Sequence, residues 1–302
     1  TTYRDLGQPD QAKPLEEQAL AITEAAYGPH HPTVATRLGN LATTYRDLGQ
    51  PDQAKPLEER ALAITEAAYG PHHPDVAIWL GNLAGTYRVL GQPDEAKPLE
   101  ERALAIAEAA YGPDHPDVAT RLGNLAAIYS ALGQPGEAKP RLDRALAITE
   151  AAYGPHHPDV ATRLGNLAST YRDLGQPDQA KPLEERALAI TEAAYGPHHP
   201  TAATILGNLA TTYRDLGQPD QAKPLEERAL AITEAAYGPH HPTVATRLGN
   251  LAATYSDLGQ TAEAISAITR AKRCATNALG AEHPTTQSLQ EFAEFLHRAP
   301  AS

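Results

Sequence analysis

The chain has 302 residues, a formal net charge of -12 and 41% hydrophobic content, with two Phe, one Trp, one Cys and no Met. That acidic balance disfavours nucleic acid and anionic lipid as partners, because either would meet net repulsion. No run approaches 18 consecutive apolar residues, so no membrane span is expected, and no secretory signal is read at the N-terminus. The lone Cys274 cannot form an internal disulfide; this fits a reducing compartment, and a cytoplasmic location is expected.

A unit of 42 residues repeats without insertion or deletion. Tyr3, Tyr45, Tyr87, Tyr129, Tyr171, Tyr213 and Tyr255 fall on one lattice, as do Gly7 through Gly259 and the His-Pro pairs from His31-Pro32 to His283-Pro284. A fixed period of this size marks a solenoid, in which each unit buries its apolar face only against its neighbours. Length alone suggests two globular domains, but a repeat array stays one quasi-linear body, so one domain is expected.

In chain order, residues 1–32 read as an incomplete first repeat, residues 33–284 as six complete units, and residues 285–302 as a capping helix and tail. Thr1 falls in the middle of a helix on the lattice, so the chain is expected to be a piece of something longer. In the first full unit, Val34, Leu38, Leu41, Tyr45 and Leu48 are spaced 4, 3, 4, 3, which predicts a helix A over 33–48. Thr33, or Asp75, Asp117 and Asp159 in other units, is expected to cap it, and Gly49 to end it. Helix B is predicted over 51–69 from Ala54, Leu57, Ala61, Ile64 and Ala68, with Pro56 near its first turn and Gly70-Pro71 as the stop. Tyr45 is expected to be largely buried between the two helices. At the far end, Leu289, Phe292, Phe295 and Leu296 are expected to form the inner stripe of the capping helix.

Leu38, Leu41-Ala42, Tyr45, Ala54 and Ala61 stand in the register of the tetratricopeptide repeat, which this chain resembles over essentially its whole length. Glu58 stands where that family commonly has an aromatic residue, and Glu66 where proline is usual. The 42-residue period, with Asn-Leu-Ala and Gly-Pro-His-His-Pro, is similar to the long variant typified by kinesin light chains and by many bacterial signalling proteins. The resemblance implies an all-α, right-handed superhelical solenoid of antiparallel helix hairpins. It implies a non-enzymatic module that binds a protein or peptide segment in a concave groove lined by helix A. A second expectation from the same resemblance is a sensor arm of a larger signalling ATPase of the NB-ARC/STAND type, with its catalytic domain upstream.

The histidine pairs from His30-His31 to His240-His241 invite a metal reading, but equivalent loops one helix-packing distance apart, about 8 to 10 Å, cannot share one ion. They read instead as structural loops, with the second His packing or hydrogen bonding near the turn. No nucleophile, base and oxyanion donor form a single constellation, so no catalytic residue and no cofactor is expected. Cys274 reads as unreactive, and the Glu58-Glu59-Arg60 runs as a solvated helix face.

By the family register, Thr36, Gly39, Asn40, Thr43, Arg46 and Asp47 face the groove. Asparagine is a poor helix former, about 0.6 kcal/mol worse than alanine, yet Asn40, Asn82, Asn124, Asn166, Asn208 and Asn250 repeat it. Two uses are open: the amide holds a ligand backbone, or it bonds to the adjacent helix. Arg46, Arg88, Arg172 and Arg214 are expected to add polar contacts. The unit from Asp75 departs from the others at Ile78, Trp79, Gly85 and Val89, and the next at Ala127 and Ala131; these replace charge with apolar surface, as a partner anchor would. Self-association is expected through the N-terminal end, where Leu15 and Ile22 would lack their preceding repeat.

Overall fold

A computed structural model describes residue 3 and residues 8–298 of the protein. The readings that rest on Thr1, Gly7 and the tail after residue 298 lie outside the described residues. Among the described residues there are fourteen helices from Pro9 onward and no strand. Helix A of successive repeats is α2 (Pro32–Asp47), α4 (Pro74–Val89), α6 (Pro116–Ala131), α8 (Pro158–Asp173), α10 (Pro200–Asp215) and α12 (Pro242–Asp257). Helix B is α1 (Pro9–Tyr27), α3 (Pro51–Tyr69), α5 (Pro93–Tyr111), α7 (Pro135–Tyr153), α9 (Pro177–Tyr195), α11 (Pro219–Tyr237) and α13 (Thr261–Leu279), and α14 (Pro284–Arg298) follows at the position of a further helix A. The contacts gather these into two compact units, residues 1–152 and 153–302. Within each, consecutive helices pack, as α2 does against α3 and α9 against α10, and some successive A helices also touch, as α4 does with α6 and α10 with α12.

The helix starts differ from expectation in one respect. Pro32 takes the first helical position, where its missing N–H costs nothing, so the cap falls two residues earlier, on His31 rather than Thr33. Its Nδ1 accepts from the Thr33 backbone N–H at 3.3 Å, and its ring stacks on Tyr27 at 5.0 Å between centroids. His73, His115, His157, His199 and His241 repeat both contacts. The second histidine of each pair is thus a helix cap, as the loop reading expected. Helix A ends in paired bonds from Gly49 N–H to the Arg46 carbonyl and from Gln50 N–H to the Tyr45 carbonyl, closed by Gly49 at φ +68°. Helix B runs unbroken through Pro56.

The stripe that helix B buries is Ala54, Glu58, Ala61, Ile64 and Thr65. Leu57 is half-buried and Ala68 is exposed, so the inward face is rotated by one position from the expected one. Glu58 therefore belongs to the interior; Glu100, Glu184 and Glu226 do the same in later repeats. Tyr45 is half-buried rather than largely buried: Lys13 lies over its ring at 4.8 Å and its hydroxyl donates to Glu17 at 3.2 Å. Tyr129 alone of this lattice is closed off at 5% exposure. The Glu58-Glu59-Arg60 segment is only in part a solvated face: Glu59 is exposed, Arg60 is half-buried and Glu58 is interior. Glu59 accepts from Tyr87, and Arg60 braces the neighbouring hairpin by reaching Glu24 at 2.6 Å and the Pro29 carbonyl at 3.0 Å.

In the second unit α14 covers the last hairpin. Leu289, Ala293 and Leu296 join Val244, Leu248, Ile268 and Cys274 in one core cluster, with Phe292 at its edge. Phe295 is 63% exposed, contrary to expectation, because the 289–293–296 spacing turns position 295 outward. Cys274 is buried, with its Sγ 3.3 Å from the His241 carbonyl, and burial pushes its thiol up, as suits an unreactive cysteine.

Candidate partner-binding site

Helix A presents an outward stripe at 4, 3, 4 spacing. Thr36, Ile78, Thr162 and Thr204 on it are exposed, as are Val89, Ala131 and Asp173 at its other end. Ile78 and Val89 leave half or more of their surface in water. Gly85 is half-buried and Ala127 is exposed. Trp79 does something else: its ring packs over Gly39 and joins the cluster of Val34, Leu38 and Ala61. Its remaining edge and Ile78 line a cavity of about 540 Å³ with Thr36, Arg37 and Tyr69.

The six asparagines are spread over two environments. Asn124 and Asn166 are exposed, and Asn40, Asn82, Asn208 and Asn250 are half-buried. Asn124 uses its amide at home, donating to the Glu100 carboxylate at 3.2 Å. Asn166 and Asn208 instead face a cavity of about 640 Å³ in the second unit, walled by α8 and α10 and shared with Ser169, Arg172, Thr204 and Ile205. Among the arginines, Arg88 is exposed, whereas Arg46 lies 3.3 Å from Glu58 and Arg172 lies 3.7 Å from Glu184. Arg214 pairs with Asp257 at 2.6 Å. Three of the four expected contact arginines are thus engaged with carboxylates of their own unit.

Beneath the stripe lies a repeated layer that the groove register did not anticipate. A helix-A glycine is overlaid by the side chain 40 positions further on, from the next helix A, and a helix-B glutamate sits below. At Gly81 a Cβ would fall 1.6 Å from Nη1 of Arg121, whose guanidinium lies 3.4 Å from Glu100. At Gly207 it would fall 2.1 Å from Nη1 of Arg247, and at Gly39 it would fall 2.2 Å from the Trp79 ring. These glycines accommodate the neighbouring helix. At Gly165 there is nothing within 4 Å, since Ile205 replaces the arginine. Burial raises the carboxyls of Glu58, Glu100 and Glu184 above their ordinary range and pushes Glu226 up to about 7, although Arg247 and Arg214 pull it down. The signal for this layer was legible in Glu58 at the family's buried aromatic position and in Ile205 standing where Arg121 and Arg247 stand.

Among the described residues, no group of three or more His, Cys, Asp or Glu is placed to hold a metal ion, and no helix is long and apolar enough to cross a membrane.

Hairpins at a fixed period with a varied polar stripe define a helical repeat scaffold, a class that serves protein–protein interaction and is typically non-catalytic. The tetratricopeptide repeat profile matches residues 1–67, 59–109, 75–151, 131–193, 185–235 and 203–277. The chain belongs to the tetratricopeptide repeat family, and its repeats are kinesin-light-chain-like. A solved structure of a Podosopora anserina kinesin-light-chain-type protein with nearly identical TPR-like repeats is 30% identical; the match covers 68% of this chain and 98% of that one, at a TM-score of 0.59. BtubC (BKLC) from P. vanneervenii is 22% identical over 83% of this chain and 94% of its own, at 0.61, and shows the fold. A tetratricopeptide repeat protein from Parabacteroides merdae is 16% identical over 98% of this chain and 95% of its own, at 0.66, and again shows the fold. No curated protein matches the chain.

Proposed function

We propose that the chain binds an extended segment of a partner protein on its helix-A face, without catalysing a reaction on it. The observation that carries this reading is the cavity of about 640 Å³ between α8 and α10, where Asn166, Asn208 and Arg172 converge with Ser169 and Ile205. Side-chain amides aimed across an open cleft can take both the N–H and the C=O of an extended backbone, and Ile205 supplies an apolar floor. Ile78 and Val89 in the first unit offer a second, apolar foothold.

A displayed peptide library selected on the whole chain tests this. Asn166→Ala with Asn208→Ala is expected to weaken a selected peptide by about 1 to 3 kcal/mol while leaving the melting temperature unchanged. Intact affinity together with a lowered melting temperature would assign both amides to the fold. Exposed Leu15 and Ile22 on α1 form an apolar face where a second copy of the chain packs. Sedimentation should then show concentration-dependent association that Leu15→Lys with Ile22→Lys removes.

A further inference from the structure

We propose that the notch between Gly165 and Ile205 receives an arginine side chain carried by the partner polypeptide. Four glutamate layers lie wholly within one unit or the other, and they can be compared directly. Around Glu100, Arg121 fills the glycine notch and contacts the carboxylate at 3.4 Å. Around Glu226, Arg247 fills the notch, and Arg214 adds a second positive charge. Around Glu58, Arg46 stands at 3.3 Å and the Trp79 ring closes the notch. The Glu184 layer has Arg172 at 3.7 Å and nothing over Gly165. Of the four, it alone lacks both a notch-filling side chain and a second guanidinium.

Three features point to the missing group. Glu184 is 1% exposed, with only the Thr212 hydroxyl and Arg172 at 3.7 Å beside it, and its carboxylate oxygens, like those of Glu226, lack a close hydrogen bond. The volume that Arg121 and Arg247 occupy elsewhere is open here and continues into the cavity lined by Gly165, Arg172 and Ile205. The cavity wall carries Asp159, itself beside His157, and Arg172, which is engaged with Glu184; the chain's net charge of -12 favours a cationic visitor over an anionic one. Arginine fits better than lysine, because a planar, weakly hydrated fork loses less on burial and can meet a carboxylate through two parallel bonds. The Ile205 side chain would pack along the arginine stem, as aliphatic stems commonly lie on apolar surface. This assignment rests on the helix-A face being the binding face, and adds the side chain it selects.

The chain supplies its own control, since Ile205→Arg restores the residue found at the same register in Arg121 and Arg247 and should fold normally. The probe is the tripeptide Ac-Gly-Arg-Gly-NH2, titrated into the full chain and followed by NMR, with lysine and citrulline versions alongside. The arginine tripeptide should bind at least tenfold more tightly than either, perturb Gly165 and Ile205, and lose its site in Ile205→Arg. Glu184→Gln should weaken it at least tenfold, with circular dichroism confirming that each variant is folded. Equal binding to wild type and Ile205→Arg would overturn the proposal, as would tighter binding of free L-arginine, which would assign the notch to a metabolite. If peptides selected on the chain bind through Asn166 and Asn208 yet carry no arginine and ignore Ile205→Arg, the arginine notch falls and the partner-binding function stands.

Discussion

The layer around Glu100 and the layer around Glu184 are built from equivalent positions, yet one is closed and the other open. In the first, Arg121 lies so close over Gly81 that a methyl group there would collide with its guanidinium. In the second, Ile205 reaches neither Gly165 nor a position to pair with Glu184, and a cavity remains. One side chain from the next helix A decides which outcome a repeat has. The lesson is that a repeat scaffold can acquire a distinct surface without changing its backbone, by withholding an internal partner.

The strongest way to break this contrast is to convert the closed layer into an open one. Arg121→Ile strands the Glu100 carboxylate with Asn124 alone and is expected to cost about 3 kcal/mol in urea unfolding, in the range seen when one member of a buried pair is removed. A loss below about 1 kcal/mol would show that Arg121 contributes no more than a surface pair. The glycines give the next largest effect, and it differs in sign. Gly39→Ala pushes against the Trp79 ring and should destabilise by about 2 kcal/mol, as overpacking does. Gly165→Ala meets open space and should stabilise by up to about 1 kcal/mol through helix propensity. Melting temperatures that move in the same direction for both would contradict the difference between the two notches.

A smaller effect separates the layers by pH. The Glu226 carboxyl is pushed up to about 7 in the folded chain, against about 4.3 in an unfolded one. Its contribution to stability is therefore fully present below about pH 4.3 and is lost as pH rises through 7. The wild-type melting temperature should fall by a few degrees between pH 5 and 8, and Glu226→Gln should flatten that slope. Least of all, His31→Ala removes a single cap from α2 and should cost about 1 kcal/mol. Hydrogen exchange confined to the first turn of α2 is the readout for that change.

The periodic spacing makes nearly all of the helices legible in the sequence, because apolar residues at 4, 3, 4, 3 intervals leave a helix no other face to bury. Gly49 and Gly70 mark the ends for the same physical reason, since both adopt positive φ. The face of helix B was harder. A Glu-Glu-Arg run reads as solvated by charge alone, and only the neighbouring Ala54 and Ala61, four before and three after Glu58, place that glutamate inside. On the candidate site, the outward asparagines were visible as costly helix residues, but nothing in one sequence distinguishes Asn124, which bonds to Glu100, from Asn166, which faces a cavity. That distinction depends on side chains 24 or more positions away. Phe295 misled for a simpler reason: hydrophobicity suggested an inner position that the helical angle assigns to Ala293 and Leu296.

The α3, α9 and α11 helices share all nineteen residues of the sequence PDQAKPLEERALAITEAAY. To a folding chain, three such segments are interchangeable, and a helix A arriving early would find the wrong partner as hospitable as the right one. One difference is the residue each meets from the following helix A: a tryptophan for α3, an isoleucine for α9, an arginine for α11. Trp79, Ile205 and Arg247 thus act as serial numbers on otherwise identical parts. Making all three arginine would erase these marks and leave others, such as Ile78 and Val89 in α4 and Ala202 in α10, to distinguish the repeats.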